Sequence, residues 1–251
     1  MKIQLFMKIP LSLIFCLLLS SWQTAQAANC DKNSLGTARS ITLKRVAAWY
    51  GTKQHQALPL NKNEVVLTFD DGPSPENTPL VLKALAEACS KASFFMIGQQ
   101  LQKHPELARQ VKNAGHTTGL HSFSHQRLVT LSPADQLADL KKAQKIYRNT
   151  FSESAPAYRF PYLEETPVLL DALKANNMTV ASIDATIDDW LPDDTTEILL
   201  KRLSQSLEKS GGGIILMHDA NAITAKALPA LLRLLKEKGY KVVHLQWEKA
   251  A

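Results

Sequence analysis

The chain alternates between short apolar runs and longer stretches in which apolar residues recur at helical spacing. Seven runs have the length and apolar content of buried strands. They are residues 64–69, 92–98, 116–121, 157–160, 178–184, 213–218 and 241–246. Ser132-Pro133 and Thr166-Pro167 each place a capping hydroxyl before a proline at the first helical position, and Thr195 opens another predicted helix.

This alternation predicts parallel strands covered by helices, and its length suits a (β/α) barrel of about seven strands. An open doubly wound sheet fits the same alternation, because strand order is not visible in one sequence. Both architectures gather functional side chains at the carboxyl ends of the strands. Residues 63–251 are predicted to form a single catalytic domain. The polar segment 28–62 is predicted to be a short N-terminal arm with a short helix at 42–50.

Residues 1–27 have the pattern of a secretory signal peptide. Lys2 and Lys8 precede the apolar stretch 9–19, and small residues lead up to Ala27. Because the apolar stretch is shorter than the roughly 20 residues of a membrane span, we predict cleavage after Ala27. The expected product is secreted or periplasmic, with no integral membrane segment.

The charge of the chain is only mildly basic. Two lysines and no acidic residue leave with the predicted signal, so the formal net charge falls from +6 to +4. No basic cluster is interleaved with aromatic residues, which argues against a nucleic-acid partner. Cys30 and Cys89 would remain, and in an oxidising compartment they can pair. A buried free Cys89 with a loose Cys30 is the alternative.

Two adjacent carboxylates, Asp70 and Asp71, follow the first predicted strand. Such a pair at a strand end allows one carboxylate to hold a cation and the other to accept a proton. A solvated Asp-Asp-Gly-Pro turn would account for the same residues. His121 and His125 can converge on one cation from a tight loop, and with Asp71 they give the three-ligand open shell of a catalytic metal. Two surface histidines are the alternative.

Five segments, taken in order, resemble the motifs of polysaccharide deacetylases with the NodB homology domain. They are Thr68-Phe69-Asp70-Asp71-Gly72, His121-Ser122-Phe123-Ser124-His125, Arg159-Phe160-Pro161-Tyr162, Asp189-Trp190 and Leu216-Met217-His218-Asp219. The resemblance implies a deformed (β/α) barrel. It also implies a metal-dependent hydrolase that removes N-acetyl or O-acetyl groups from chitin-like sugars, peptidoglycan or acetylxylan.

The resemblance also assigns roles to individual residues. Asp71, His121 and His125 would bind one divalent metal ion, most simply Zn²⁺, with Co²⁺ or another divalent ion as alternatives. Asp70 would be the general base, and Arg159 would orient it and keep it ionised.

Further roles fall on the later motifs. The amide of Tyr162 would stabilise the oxyanion, and His218 would protonate the departing amine. The carboxylate that supports His218 is assigned to Asp189, although Asp184 or Asp188 could serve because the local spacing is one residue longer than usual.

Substrate contacts are expected from Tyr162, Trp190 and Leu216, the last two lining an apolar slot for the acetyl methyl group. Phe160 and Leu163 depart from the usual residues of the third motif and would reshape the sugar groove.

The leading hypothesis is an exported, monomeric N-deacetylase acting on N-acetylglucosamine-containing glycans, either peptidoglycan or chitin-like. An O-acetyl esterase on xylan and a non-catalytic glycan-binding protein are the alternatives.

Overall fold

The computed structural model describes residue 30 and residues 33–192 and 194–248; the predicted signal peptide lies outside the described residues. The strands are β1 (Thr37–Leu43), β2 (Trp49–Tyr50), β3 (Glu64–Asp70), β4 (Ser93–Met96), β5 (Thr117–Leu120), β6 (Ala157–Tyr158), β7 (Thr179–Ala181), β8 (Ala185–Thr186), β9 (Gly213–His218) and β10 (Lys241–Trp247). The α-helices are α1 (Thr78–Glu87), α2 (Gly98–Lys103), α3 (Pro105–Asn113), α4 (Pro133–Phe151), α5 (Pro167–Ala175), α6 (Thr196–Ser210) and α7 (Ala222–Glu237). All seven predicted strands are therefore confirmed.

The described strands pair in parallel and follow the course of an irregular ring that passes through β3. Strand β9 pairs with β3 along residues 65–70. Strand β10 pairs with the start of β3, and β4 pairs with its end. The ring continues through β5, β6 and β7. After β7 the chain runs directly into β8, which pairs with β9. The prediction of a deformed (β/α) barrel is confirmed: one path of paired strands runs from β3 through β4, β5 and β6 to β7, the other runs through β9 to β8, and residues 182–184 connect the two ends without a ladder between β7 and β8.

The N-terminal segment contributes two strands, and the helix predicted at 42–50 is wrong. Strand β1 pairs with β10, and β2 pairs with β7. In β1 the buried side chains of Ile41 and Leu43 flank an exposed Thr42, which is the two-residue period of a strand. The Cys30–Cys89 disulfide is present and joins this segment to the second residue after α1.

Three helices begin at the predicted capping residues. The side-chain oxygens of Ser132, Thr166 and Thr195 each accept a hydrogen bond from the backbone amide three residues later. No helix within the described ranges has the length and apolar content of a membrane span.

The polar motif residues lie where neighbouring strands end. Asp70 is the last residue of β3 and His218 the last of β9, while His121 and Arg159 directly follow β5 and β6. Since these strands run in parallel, the four side chains come together at one end of the barrel.

Candidate active site

Asp70 and Asp71 are adjacent in sequence but occupy different surroundings. Asp70 is buried, whereas the side chain of Asp71 keeps about a quarter of its surface exposed. The backbone of Asp71 has φ of 76°, a left-handed conformation that few non-glycine residues adopt. Such a conformation is maintained only when the surrounding structure imposes it. The turn therefore separates the two carboxylates and allows them different roles.

Arg159 fixes the carboxylate of Asp70 through a hydrogen bond. Its Nη1 donates to Asp70 Oδ1 and to Thr68 Oγ1, both at 2.8 Å, and its other nitrogens donate to the carbonyls of Ala181 and Ser182. Burial raises the pKa of the Asp70 carboxyl, and the charge of Arg159 counteracts part of that shift. The result is a buried carboxylate that is a stronger proton acceptor than an exposed one.

Asp71, His121 and His125 form a compact set of ligand atoms. Nε2 of His121 and Nε2 of His125 lie 3.5 Å and 3.3 Å from Asp71 Oδ1. Nδ1 of His121 donates to the Arg159 carbonyl at 2.8 Å, which leaves the Nε2 lone pair directed to the cluster. Burial lowers the pKa of His121 to about 3, so the ring is neutral, as a metal ligand must be.

The donor set fits a divalent cation. Oδ1 of Asp71 is buried and has no hydrogen-bond partner among the described residues. An unpaired buried acceptor is costly, and a cation would satisfy it. One ligand atom from each of Asp71, His121 and His125 lies within 4.8 Å of the others. Two imidazoles and one carboxylate are the mixed nitrogen and oxygen set that catalytic zinc sites use.

Asp139, which sequence reasoning missed, holds the loop that carries both histidines. Its carboxylate accepts hydrogen bonds from the amides of Phe123 and Ser124 at 2.7 Å and 3.1 Å, and from Ser124 Oγ at 2.6 Å. His125, in this loop, has a left-handed backbone with φ of 56°. An acidic residue in an amphipathic helix such as α4 resembles any solvent-facing residue, so the sequence contains no signal for this contact.

Asp219, which the sequence analysis placed in the fifth motif without a role, packs under the turn after Asp71. Its carboxylate accepts hydrogen bonds from the Gly72 amide at 3.2 Å and from the hydroxyl of Thr78. A Cβ on Gly72 would lie 2.2 Å from Asp219 Oδ2, so only glycine fits here. Burial raises the pKa of Asp219 to about 7.

His218 pairs with Asp189. Its Nδ1 lies 2.7 Å from Asp189 Oδ1, and its amide donates to Asp189 Oδ2 at 2.8 Å. Although burial lowers the pKa of His218, Asp189 raises it through the hydrogen bond and its charge, and the net value is about 9. Asp184 instead accepts from Thr52 and from the Ile214 amide. Of the three candidate carboxylates, the structure brings Asp189 to the histidine.

A cavity of about 360 Å³ opens above these groups. Tyr162 and Trp190 stand on its walls with 58% and 53% of their surfaces exposed, their rings close to those of His125 and His218. Leu216 is buried and lines the cavity. The amides of the two residues after Tyr162 donate to backbone carbonyls, whereas the described residues supply no acceptor for the Tyr162 amide.

The histidines outside the motifs lie elsewhere. Nε2 of His55 lies 2.6 Å from the carboxylate of Glu165. His116 and His244 are buried, and burial lowers their pKa values to about 3 and about 4. His104 caps α2. None of these four lines the catalytic cavity.

The parallel barrel, with a buried carboxylate beside a guanidinium and a ligand cluster at its strand ends, defines an α/β-barrel protein with a candidate metal site. The chain belongs to the polysaccharide deacetylase family, whose model matches residues 57–181.

Named relatives match a longer stretch of the chain than the family model does. The chain is 31% identical over 192 residues to a Bacillus cereus peptidoglycan-N-acetylglucosamine deacetylase, covering 74% of this chain and 68% of the relative. It is 30% identical over 198 residues to the Bacillus subtilis peptidoglycan-N-acetylmuramic acid deacetylase PdaC, covering 76% of this chain but only 41% of that protein. Among solved structures, Bdellovibrio bacteriovorus peptidoglycan deacetylase Bd3279 superposes with a TM-score of 0.77 and 29% identity, covering 89% of this chain and 63% of that one.

Proposed function

We propose that this protein is an exported, metal-dependent hydrolase that removes N-acetyl groups from N-acetylglucosamine-containing glycans. The observation that carries the proposal is the convergence of a buried base, a three-residue ligand cluster and a carboxylate-supported histidine on one cavity. The relatives named as peptidoglycan deacetylases support peptidoglycan as the first substrate to test, with chitooligosaccharides as the second.

Asp71, His121 and His125 would hold the metal ion, and Zn²⁺ is the ion we propose. When bound, such an ion polarises water and the acetyl carbonyl. Asp70 takes the proton as the water oxygen attacks, and the hydrogen bond from Arg159 fixes the direction of its carboxylate.

The departing group in this reaction is a sugar amine, which leaves readily only when it is protonated. His218 donates that proton, and Asp189 holds its ring and keeps it charged at neutral pH. The amide of Tyr162, which has no acceptor among the described residues, would donate to the developing oxyanion. Trp190 and Leu216 provide apolar surface for the acetyl methyl group.

Export to the periplasm or the medium is part of the proposal. The Cys30–Cys89 disulfide supports it, because such bonds persist mainly in oxidising compartments. We further propose that the protein acts as a monomer.

The test is to measure acetate released from peptidoglycan, chitooligosaccharides and acetylxylan by the Zn²⁺-reconstituted protein. We expect release from the two N-acetylated substrates, its loss with a chelator and its recovery with Zn²⁺ or Co²⁺. Release from acetylxylan alone would contradict N-deacetylation, and binding without any release would indicate a glycan-binding protein.

A further inference from the structure

The loop of residues 51–56, which we call the rim loop, contributes Lys53 to the wall of the catalytic cavity. The same wall includes the proposed base Asp70 and the proposed ligand Asp71. The family match begins at residue 57, so it assigns no role to this loop.

One side of the rim loop is fixed to the segment that joins β7 to β8. The amide of Lys53 donates to the Ile183 carbonyl at 3.0 Å, and the amide of Thr52 donates to Asp184 Oδ1 at 2.7 Å. Gly51 approaches so closely that a Cβ there would lie 2.5 Å from the Ile183 nitrogen. Its φ of 107° also suits glycine alone.

The other side of the rim loop is fixed beneath the third motif. Nε2 of Gln54 donates to the Leu163 carbonyl at 2.8 Å, while its Oε1 accepts from Ser182 Oγ at 2.6 Å. His55 contacts Glu165 at 2.6 Å. Because both flanks are anchored, the position of Lys53 relative to the cavity is set by the fold.

Lys53 is the one charged cavity residue that lacks an assigned counterpart. Asp70 pairs with Arg159, and His218 pairs with Asp189. The remaining acidic and histidine residues of the wall, Asp71, His121 and His125, form the ligand cluster. Lys53 is exposed, and the ion pairs within the described ranges do not include it. An ammonium on a flexible stem at a cavity edge remains available to an anion brought by a ligand.

We propose that Lys53 forms a subsite for a carboxylate that the glycan carries on, or next to, the acetylated sugar. The cavity measures about 360 Å³, so a group that reaches Lys53 must lie close to the acetyl group. Muramic acid bears such a carboxylate on its lactyl ether, whereas N-acetylglucosamine is neutral. This inference rests on the proposed function and narrows its substrate class to carboxylated glycans.

The test compares kcat/KM for acetate release from three substrates. Chitooligosaccharides are neutral, peptide-free peptidoglycan strands expose the lactyl carboxylate, and peptide-bearing fragments have that carboxyl in an amide bond and their carboxylates on the peptide. For Lys53→Met we expect the ratio of peptide-free strands to chitooligosaccharides to fall roughly three- to tenfold, mainly through KM. Lys53→Arg should keep most of the wild-type ratio, and the preference should weaken in high salt.

Lys44→Met is the matched control, since Lys44 is an exposed lysine just after β1 and outside the cavity. An unchanged ratio in Lys53→Met, or an equal fall in Lys44→Met, would overturn the inference. A fall confined to the peptide-bearing fragments would overturn the assignment of the carboxylate to the sugar. Wild-type protein that releases acetate from none of the substrates would instead refute the proposed function.

Discussion

Nη1 of Arg159 donates a hydrogen bond to Oδ1 of Asp70 at 2.8 Å, and the two side chains are almost completely shielded from water. A permanent cation at this distance allows a carboxylate to remain ionised where burial alone would favour its neutral form. The pair thus meets two requirements of the proposed base, which are low solvation and negative charge.

Asp70→Asn should lower the rate of acetate release by about 10²–10⁴-fold, because the amide cannot accept the proton. The metal content of the reconstituted protein should stay near one ion per chain, since Asp71, His121 and His125 are untouched. Elemental analysis and initial rates measure the two quantities. A variant that retains full activity would show that another group is the base.

Asp189→Asn should move the alkaline limb of the kcat profile to lower pH. In its proposed role His218 donates a proton, so activity should fall as pH rises through its pKa, which Asp189 helps to raise to about 9. Without the charge of Asp189, the imidazolium of His218 should lose its proton at a lower pH. Asp188→Asn is the control, because Asp188 is adjacent in sequence and makes no ion pair with His218. Identical limbs in the Asp189 variant and the wild type would contradict the proposed pairing.

Asp139→Asn should weaken metal binding by about 10- to 100-fold, the usual effect of removing a group that orients metal ligands. An amide cannot accept all three hydrogen bonds that now hold Phe123 and Ser124. Competition with a chromogenic chelator measures the affinity without reference to turnover. Asp171→Asn, at an exposed position of α5, should bind metal like the wild type. Equal affinities for all three proteins would assign Asp139 a purely structural role.

His116→Gln should flatten the dependence of stability on pH. Burial lowers the pKa of His116 to about 3, and the Ala92 amide donates to its Nδ1. In the unfolded chain His116 binds a proton with a pKa near 6.5, whereas in the folded chain it does so only as the pH approaches 3. The contribution of His116 to stability is therefore fully present above pH 6.5 and is lost as pH falls toward 3. The loss amounts to at most about 2 kcal/mol at pH 5. Urea denaturation at pH 7.5 and pH 5 measures this loss of unfolding free energy. Equal losses in His116→Gln and in the wild type would contradict the assignment of the pH dependence to His116.

Sequence periodicity predicted the buried strands well, because a run such as Gly213–His218 is apolar on both faces and ends at residues of distinct chemistry. It failed where elements are short or lie at the edge. Strands β2 and β8 have only two residues each, too few for a period to show, and unlike the equally short β6 they do not lie within a predicted apolar run. In β1, polar residues alternate with apolar ones inside a polar arm, and only pairing with β10 reveals the strand.

The candidate site divides in the same way. Residues within motifs, such as Asp70 and His218, could be named from the sequence because the chemistry demands particular side chains in order. Asp139 and Lys53 could not be named, since their importance comes from which loops the fold brings beside them. The resemblance assigned Asp189 to His218 but left Asp184 and Asp188 open, and only the hydrogen bonds of the folded chain distinguish them.

The contacts of Asp184 indicate how much of the N-terminal segment a functional fragment needs. One carboxylate oxygen accepts from Thr52, and the other accepts from the amide of Ile214 in the strand that ends at His218. A fragment cut at the family boundary near residue 57 would lose the first contact, the lysine at the cavity edge and the strand that covers β7. The shortest autonomous unit should therefore begin before β1, and expression trials should be designed around that start.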